Sequence, residues 1–165
     1  MSVIFSILIL ILSVVVHEVA HGWSAYFLGD PTAKLAGRLT LNPLPHLDPI
    51  GSIFLPLLLF ITKSPILFGW AKPVPYNPYN LRAGRWGPAI VALAGPVANL
   101  FLAVCFSIVI RLTIGIAPAP FIALAAGIVI INLALALFNL IPIPPLDGSK
   151  ILFVLIPYRY HALEE

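Results

Sequence analysis

Long apolar runs with almost no charge are the feature that most restricts how this chain can fold. Of its 165 residues, 61% are hydrophobic and only 9% are charged. A soluble domain carries charge on about a quarter of its residues, so this chain lacks the polar side chains needed to cover a water-facing surface. The sequence therefore predicts an integral membrane protein, and its length predicts one domain over residues 1–165.

Polar, proline-rich or glycine-rich breaks divide the chain into apolar segments. The first is long enough to cross a hydrocarbon core of about 30 Å, and it lacks the basic start of a signal peptide, so we expect it to be retained. The second is short for a straight span, and it is either a thin helix, a re-entrant element or a helix extended by its flanking residues. The segments cover residues 3–28, 50–62, 88–112, 121–140 and 149–156. We expect an all-α polytopic membrane protein with four to five membrane segments.

A short extended element is predicted in the break before the third segment. Phe68-Gly69-Trp70-Ala71-Lys72-Pro73-Val74-Pro75 is too rich in proline for a helix. If this stretch lies at membrane depth, its backbone must be satisfied by protein or by a water-filled cavity. We therefore expect an extended or β-like element here. The positive charges on either side of residues 50–62 leave the membrane orientation undecided.

The first apolar segment contains His17-Glu18-Val19-Ala20-His21. On a helix, positions i and i+4 share one face, so both imidazoles can reach a single ion. Zinc favours nitrogen ligands, and a catalytic zinc site combines three protein ligands with a position for water. Glu18 is placed to take a proton from that zinc-bound water. The pattern predicts one catalytic Zn²⁺ per chain.

The setting of this motif matters as much as its spacing. Ionisable groups at membrane depth cost roughly 2.5–3.5 kcal/mol each on insertion scales, so their presence inside an apolar run indicates a function. A buried His–Glu pair that only locks helices together is the structural alternative. A proton or metal-ion relay in a transporter is another, and it predicts several partial sites along a path rather than one compact cluster.

A third ligand has to come from elsewhere in the chain, and Asp147 is the best candidate. It lies in a proline-broken apolar stretch, and Gly148 beside it permits close backbone approach. Its structural alternative is an ordinary helix N-cap. His46 and Asp48 form a rival ligand source, although a capping role explains Asp48 and His46 reads as a solvated interface residue. Asp30 needs only a role in a turn.

Amides in the apolar spans have two interpretations. Asn99 and Asn139 are either interhelical hydrogen-bonding residues or substrate contacts. Asn132 is predicted only to form a hydrogen bond that stabilises the helix bundle. Cys105 is a small apolar residue, because one cysteine excludes an internal disulfide and a cysteine-based zinc cluster. There is no base-reading motif, so we expect no nucleic-acid partner. Self-association is left open.

At these motifs the sequence resembles the site-2 protease family of intramembrane zinc metalloproteases. No PDZ-like insertion interrupts the matching stretches, so the resemblance is to the family's short branch. The relatives usually continue into a further hydrophobic span beyond the stretch that matches Tyr158 to His161. The matching stretches run in order along nearly the whole chain: residues 17–22, 29–31, 41–51, 69–74, 95–99 and 139–148.

The resemblance implies that His17, His21 and Asp147 hold the zinc and that Glu18 is the general base. It implies cleavage of peptide bonds in or near membrane-spanning segments of membrane-protein substrates, within the cell membrane. It also implies an extended element near the site at residues 69–75. Substrate contacts are implied for Gly95, Asn99, Asn139 and Trp70. A proteolytically inactive, substrate-binding relative is the remaining alternative.

Overall fold

Helices form most of the computed structural model, which describes residues 3–62 and 70–156. The helices in chain order are α1 (Val3–Phe27), α2 (Thr32–Leu35), α3 (Leu55–Ile61), α4 (Gly87–Thr113), α5 (Ala119–Asn139) and α6 (Asp147–Leu155). A π-helical turn, Pro49–Phe54, leads directly into α3, and 3₁₀ turns occupy Leu44–His46, Pro78–Asn80 and Gly84–Trp86. Within the described part of the chain there is no β-strand.

Three of these helices, α1, α4 and α5, are long and apolar enough to cross a membrane. They agree with the predicted segments 3–28, 88–112 and 121–140 to within two residues at each end. Large apolar side chains on their outer faces are exposed, such as Leu8, Phe101 and Leu137. Lipid rather than water suits a surface on which so many large apolar side chains are exposed.

The other two predicted segments do not form helices of spanning length. Residues 50–62 become the π-helical turn and α3, which together run from Pro49 to Ile61. At about 1.5 Å per residue this is roughly 20 Å, too short for a hydrocarbon core of about 30 Å. The last segment begins earlier than predicted, at Asp147, and α6 is only nine residues long.

The packing of the helices is centred on α4, which contacts α1, α5 and α6; α1 also contacts α5. Small residues allow this close approach, since Ala92, Ala103, Ala125 and Ala136 are all buried between helices. Pro88 lies in the first turn of α4, where a missing N–H costs nothing. This arrangement brings one face of α4 against the histidine-bearing face of α1.

The chain between α5 and α6 places the start of α6 close to the end of α5. Residues 140–146 are turns and bends, with a cis peptide bond between Pro144 and Pro145. A Cβ atom added at Gly148 would lie 2.3 Å from the carbonyl oxygen of Leu140 and 2.6 Å from that of Ile141. Only glycine fits so near two backbone carbonyls, and this contact fixes the position of Asp147.

Candidate metal centre

Three side chains from two distant parts of the chain converge between α1, α4 and α6. His17 and His21 lie one turn apart on α1, and Asp147 is the first residue of α6. The two imidazole Nε2 atoms are 3.0 Å apart, and each lies 3.1 Å from Asp147 Oδ2. All three residues are at least nine-tenths buried. These atoms form a nearly equilateral triangle of ligand-type donors.

The far side of each imidazole is held by α4. His17 Nδ1 donates to Asn99 Oδ1 at 2.6 Å, and His21 Nδ1 donates to the carbonyl oxygen of Val91 at 2.7 Å. A carbonyl oxygen can only accept, so His21 carries its proton on Nδ1. With Nδ1 protonated, the lone pair is on Nε2, the atom that faces Asp147. Partners of this kind orient metal-binding histidines in proteins.

Gly95 on α4 leaves open the space in front of both imidazoles. A Cβ atom added there would lie 2.5 Å from His21 Nε2 and 2.6 Å from His17 Nε2. Any side chain at this position would therefore press on both nitrogen donors. The absence of a side chain at residue 95 gives the donor triangle an open side.

The residues present fit zinc. Tetrahedral ligands about 2.0–2.1 Å from zinc lie roughly 3.3 Å from one another, so edges of 3.0–3.1 Å need only a small expansion. Two neutral imidazoles and a carboxylate are a donor set found in catalytic zinc sites. The N-cap of α6 is Leu146. The Asp147 carboxylate bonds to the side chains of His17, His21 and Lys150 rather than to backbone N–H groups of α6. The predicted alternative role for Asp147, that of an N-cap, is therefore wrong.

Lys150 supports the carboxylate of Asp147 from the outside of the site. Its Nζ lies 3.4 Å from Asp147 Oδ1, the oxygen that does not face the histidines. The lysine side chain is 39% exposed, and its ammonium also lies over the ring of Tyr76 at 5.7 Å. A partly exposed ion pair contributes at most about 1 kcal/mol. It helps to orient the carboxylate more than it stabilises the fold.

Glu18 connects the site to the irregular segment at residues 70–77. Its Oε2 accepts a hydrogen bond from the backbone N–H of Val74 at 2.8 Å. Glu18 is half-buried, whereas its neighbours His17 and Val19 are buried. The carboxylate that the sequence proposes as a base is thus held through one oxygen by the backbone of residue 74.

Two buried polar residues hold residues 70–77 in place. Arg38 donates through Nη2 to the carbonyl oxygens of Lys72 at 2.7 Å and Pro73 at 3.3 Å. His46 accepts from the backbone N–H of Lys72 through its own carbonyl oxygen, and its Nε2 lies 2.9 Å from the carbonyl oxygen of Thr40. The sequence-based prediction that His46 is a solvated interface residue is wrong, because it is 1% exposed. The predicted β-like element takes no regular secondary structure over residues 70–77, and Phe68 and Gly69 lie outside the described residues.

Asp30 fixes the other end of the same segment. Its carboxylate accepts from the backbone N–H and the hydroxyl of Thr32, from the backbone N–H of Asn77 at 2.7 Å and from Asn80 Nδ2 at 2.9 Å. Burial opposes ionisation, but the bonds from Thr32, Asn80 and Asn77 outweigh it and lower the pKa of Asp30 below its ordinary 3.8. Sequence reasoning assigned Asp30 to a turn alone. The structure shows that it ties the end of α1 to residues 77–80.

The remaining sequence-predicted residues lie around this centre in different ways. Asp48 caps the π-helical turn by accepting from the N–H groups of Ile50 and Gly51, as its capping interpretation predicts. Asn139 donates to the carbonyl oxygen of Leu135 in its own helix. Trp70 is 47% exposed and pairs with Gly51 through its backbone N–H. Of these, the structure brings neither Asp48 nor Asn139 into the donor triangle.

Two polar residues behind the site were missed as functional candidates, Ser13 on α1 and Asn132 on α5. Both are buried and both bond to the network that reaches His17 through Asn99. Their only signal in the sequence is a polar side chain inside an apolar span. That signal does not distinguish them from other polar residues of the spans, such as Ser107, which bonds only to the carbonyl oxygen of Ala103 in its own helix.

A histidine pair with an intervening glutamate on one apolar helix, beside an aspartate from another, is the arrangement of side chains typical of metallopeptidases. Residues 115–165 match the family model described as "Peptidase family M50". No solved structure shows significant similarity to the chain.

Several named proteins are similar over most of the chain. A Bacillus subtilis protein named as a candidate zinc metalloprotease, YwhC, is 40% identical over 160 residues, which cover 93% of this chain and 69% of that protein. The similarly named Rip2 of Mycolicibacterium smegmatis is 34% identical over 138 residues, or 84% of this chain and 52% of its own length. Rip2 of Mycobacterium tuberculosis is 33% identical over the same shares. The chain thus spans about half the length of the mycobacterial relatives.

The chain belongs to the M50 peptidase family, the site-2 protease family of zinc-dependent metalloproteases, and it is an integral membrane protein.

Proposed function

We propose that this protein is an intramembrane zinc endopeptidase that hydrolyses peptide bonds in or near the membrane-spanning segments of other proteins. The observation that carries the proposal is the triangle of His17, His21 and Asp147 donors, 3.0–3.1 Å on each edge and buried among apolar helices. In this proposal one zinc ion is held by those three residues. When bound, zinc supplies Lewis-acid activation of a carbonyl group and of water.

Glu18 acts as the general base and later as the acid in this proposal. Support for this role comes from its place in the motif next to His17 and from the bond of Val74 N–H, which holds one carboxylate oxygen in place. A carboxylate held in this way can take a proton from the attacking water and pass it to the leaving amine. General acid–base catalysis of this kind contributes about 10²–10⁴-fold to a rate.

Residues 70–77 are proposed to guide the substrate. A helical peptide bond is shielded by its own hydrogen bonds and side chains, so a substrate helix has to unwind before it is cut. Because Val74 N–H is bonded to Glu18, an unwound peptide lying along residues 70–75 also lies beside the proposed base. Trp70 and Asn139, which are both partly exposed, are the proposed substrate contacts on this side.

Asn99 and Gly95 are better assigned to the metal centre than to the substrate. Asn99 is fully buried and bonded to His17, and Gly95 lies against both imidazoles. We therefore propose that the two residues keep the donors in position. The protein is proposed to cross the cell membrane several times, with α1, α4 and α5 as spanning helices.

The substitution Glu18→Gln tests the proposed base. Glutamine keeps an oxygen that can accept from Val74 N–H, so the surrounding structure and the bound zinc should persist. Cleavage of a reconstituted single-span reporter, whose transmembrane segment contains Gly and Asn to ease unwinding, should fall by about 10²–10⁴-fold. The control His17→Ala should lose zinc as well as cleavage. A Glu18→Gln protein that cleaves the reporter at the wild-type rate would remove Glu18 from the mechanism.

A further inference from the structure

A chain of buried hydrogen bonds runs from α5 to the histidine donors on α1. Asn132 Oδ1 accepts from Asn99 Nδ2 at 2.7 Å, and Asn99 Oδ1 accepts from His17 Nδ1 at 2.6 Å. Both asparagines are 0% exposed. The three residues belong to three different spanning helices, so the chain of bonds crosses the whole bundle.

The direction of every bond in this chain is set by two backbone carbonyls. Asn132 Nδ2 lies 2.9 Å from the carbonyl oxygen of Ile128, which can only accept, so the amide must present its NH₂ group there and its oxygen to Asn99. Asn99 must then direct its own NH₂ group to Asn132, and the carbonyl oxygen of Ser13 at 3.3 Å requires the same orientation. Asn99 is left with its oxygen facing His17.

The orientation of Asn99 decides which nitrogen of His17 is free. With an acceptor in front of it, His17 Nδ1 must carry the proton, and the lone pair is on Nε2 inside the donor triangle. A reversed Asn99 amide would direct NH₂ at Nδ1 and place the imidazole proton on Nε2, where a metal would lie. It would also set two oxygens against each other at Ser13.

We propose that Asn132 is a positioning residue for the metal centre, which acts through Asn99 to keep the Nε2 lone pair of His17 available for the metal. This inference rests on the proposed zinc site. Ser13 completes the network, since its hydroxyl oxygen accepts from Asn132 Nδ2 at 2.9 Å. The hydrogen bonds of the Asn132 side chain go to Asn99, Ser13 and Ile128, so its effect on the donors passes through the amide of Asn99.

Two substitutions at residue 132 separate this role from simple packing. Asn132→Asp is isosteric, and at this buried position the acid is held in its neutral form, so one oxygen accepts from Asn99 while the O–H donates to the carbonyl oxygen of Ile128. Zinc affinity should therefore stay close to the wild-type value. Asn132→Ser keeps a hydroxyl that can bond to the carbonyl oxygen of Ile128, as Ser107 does in α4, but it is too short to reach Asn99. Outer partners of metal ligands typically change metal affinity by 10–100-fold, and we expect about a tenfold loss for Asn132→Ser.

The measurement is zinc affinity of the purified full chain in detergent, by competition with a chromophoric chelator, with the Co²⁺ absorption spectrum as a second readout. Asn99→Ala should lose 10–100-fold in affinity, and adding Asn132→Ser to it should cause no further loss, because Asn132 acts through Asn99. Ser107→Ala, which removes a polar bond within α4, is the matched control and should leave affinity unchanged. Asn132→Thr gives the same test if Asn132→Ser does not purify as folded protein.

Each outcome decides between these ideas. Equal zinc affinity of wild type and Asn132→Ser, or losses that add in the Asn99→Ala/Asn132→Ser double variant, would overturn the role of Asn132 while leaving the zinc site intact. A wild-type protein that binds no zinc would overturn the proposed function and this inference together. Loss of affinity in Asn132→Ser, its retention in Asn132→Asp and non-additivity with Asn99→Ala would establish the role.

Discussion

Replacing Gly95 by alanine adds one methyl group at the most confined point of the metal centre. That methyl group would lie 2.5 Å from His21 Nε2 and 2.6 Å from both Nε2 and Cε1 of His17. Ordinary contacts of a Cβ atom begin near 3.4 Å, so the rings or α4 must move. The rings cannot turn freely, because Asn99 and the carbonyl oxygen of Val91 hold their Nδ1 atoms.

The expected loss follows from those two anchors. Breaking a buried hydrogen bond costs about 1–3 kcal/mol, so releasing both imidazoles costs roughly 2–6 kcal/mol. Since each 1.4 kcal/mol is a factor of ten, zinc affinity of Gly95→Ala should fall by roughly 30-fold to 10⁴-fold. Equilibrium competition with a chelator, on purified protein in detergent, measures this directly.

Gly87→Ala is the control for crowding in the same helix. Its added Cβ would lie 2.7 Å from the Cβ of Leu81, which is equally tight but involves no donor of the metal centre. Overpacking should lower thermal stability by about 1–3 kcal/mol and leave zinc affinity unchanged. Zinc binding by Gly95→Ala as tight as that of the wild type would refute a confining role for Gly95.

Three further perturbations test the supports of the site. Asp30→Asn should destabilise the protein by about 2 kcal/mol or more in thermal unfolding, because the carboxylate accepts four hydrogen bonds that an amide cannot all accept. The pKa of Asp30 is lower in the folded protein than its unfolded value near 3.8, so its carboxylate stabilises the fold above that pH. This stabilisation is lost as pH falls through the folded pKa. On acidification below about pH 4, the wild type should therefore lose more stability than Asp30→Asn. Val74→Pro removes the N–H that holds Glu18, and it should lower kcat about tenfold with unchanged zinc affinity, whereas a wild-type kcat would contradict that role. Gly148→Ala sets a methyl group against the Leu140 carbonyl oxygen, so it should weaken zinc binding and lower the melting temperature. The control is Gly37→Ala, whose added Cβ meets nothing within 4 Å, and it should leave zinc binding unchanged.

The sequence alone predicts that the two histidines of α1 lie together, as the structure shows. His17 and His21 share a helical face by spacing, and their setting in an apolar run indicates a function for them. Asp147 is predictable as a carboxylate in a proline-broken stretch. The family relationship also agrees with the resemblance found in the motifs.

Features that depend on how the helices are rotated against one another could not be predicted. Tertiary packing decides whether Asn132 faces α4, α1 or lipid. In the sequence, Asn132 therefore looks the same as a polar residue that bonds only within its own helix. His46 and Arg38 lie in a polar stretch that gives no sign of burial. Both are nevertheless buried and bond to backbone atoms of residues 72 and 73, His46 through its carbonyl oxygen and Arg38 through its guanidinium. Backbone carbonyls such as that of Val91 leave no trace in the residue types at all.

Bound zinc in purified wild-type protein and in Asp147→Ala is the measurement that tests the central claim most directly. The wild type should contain one zinc per chain, and Asp147→Ala should lose most of it, since the triangle keeps only two donors. Asp48→Ala, which removes a carboxylate that caps the π-helical turn and leaves the three donors and their partners in place, is the control and should retain zinc. Stoichiometric zinc that survives Asp147→Ala with unchanged affinity would contradict the account.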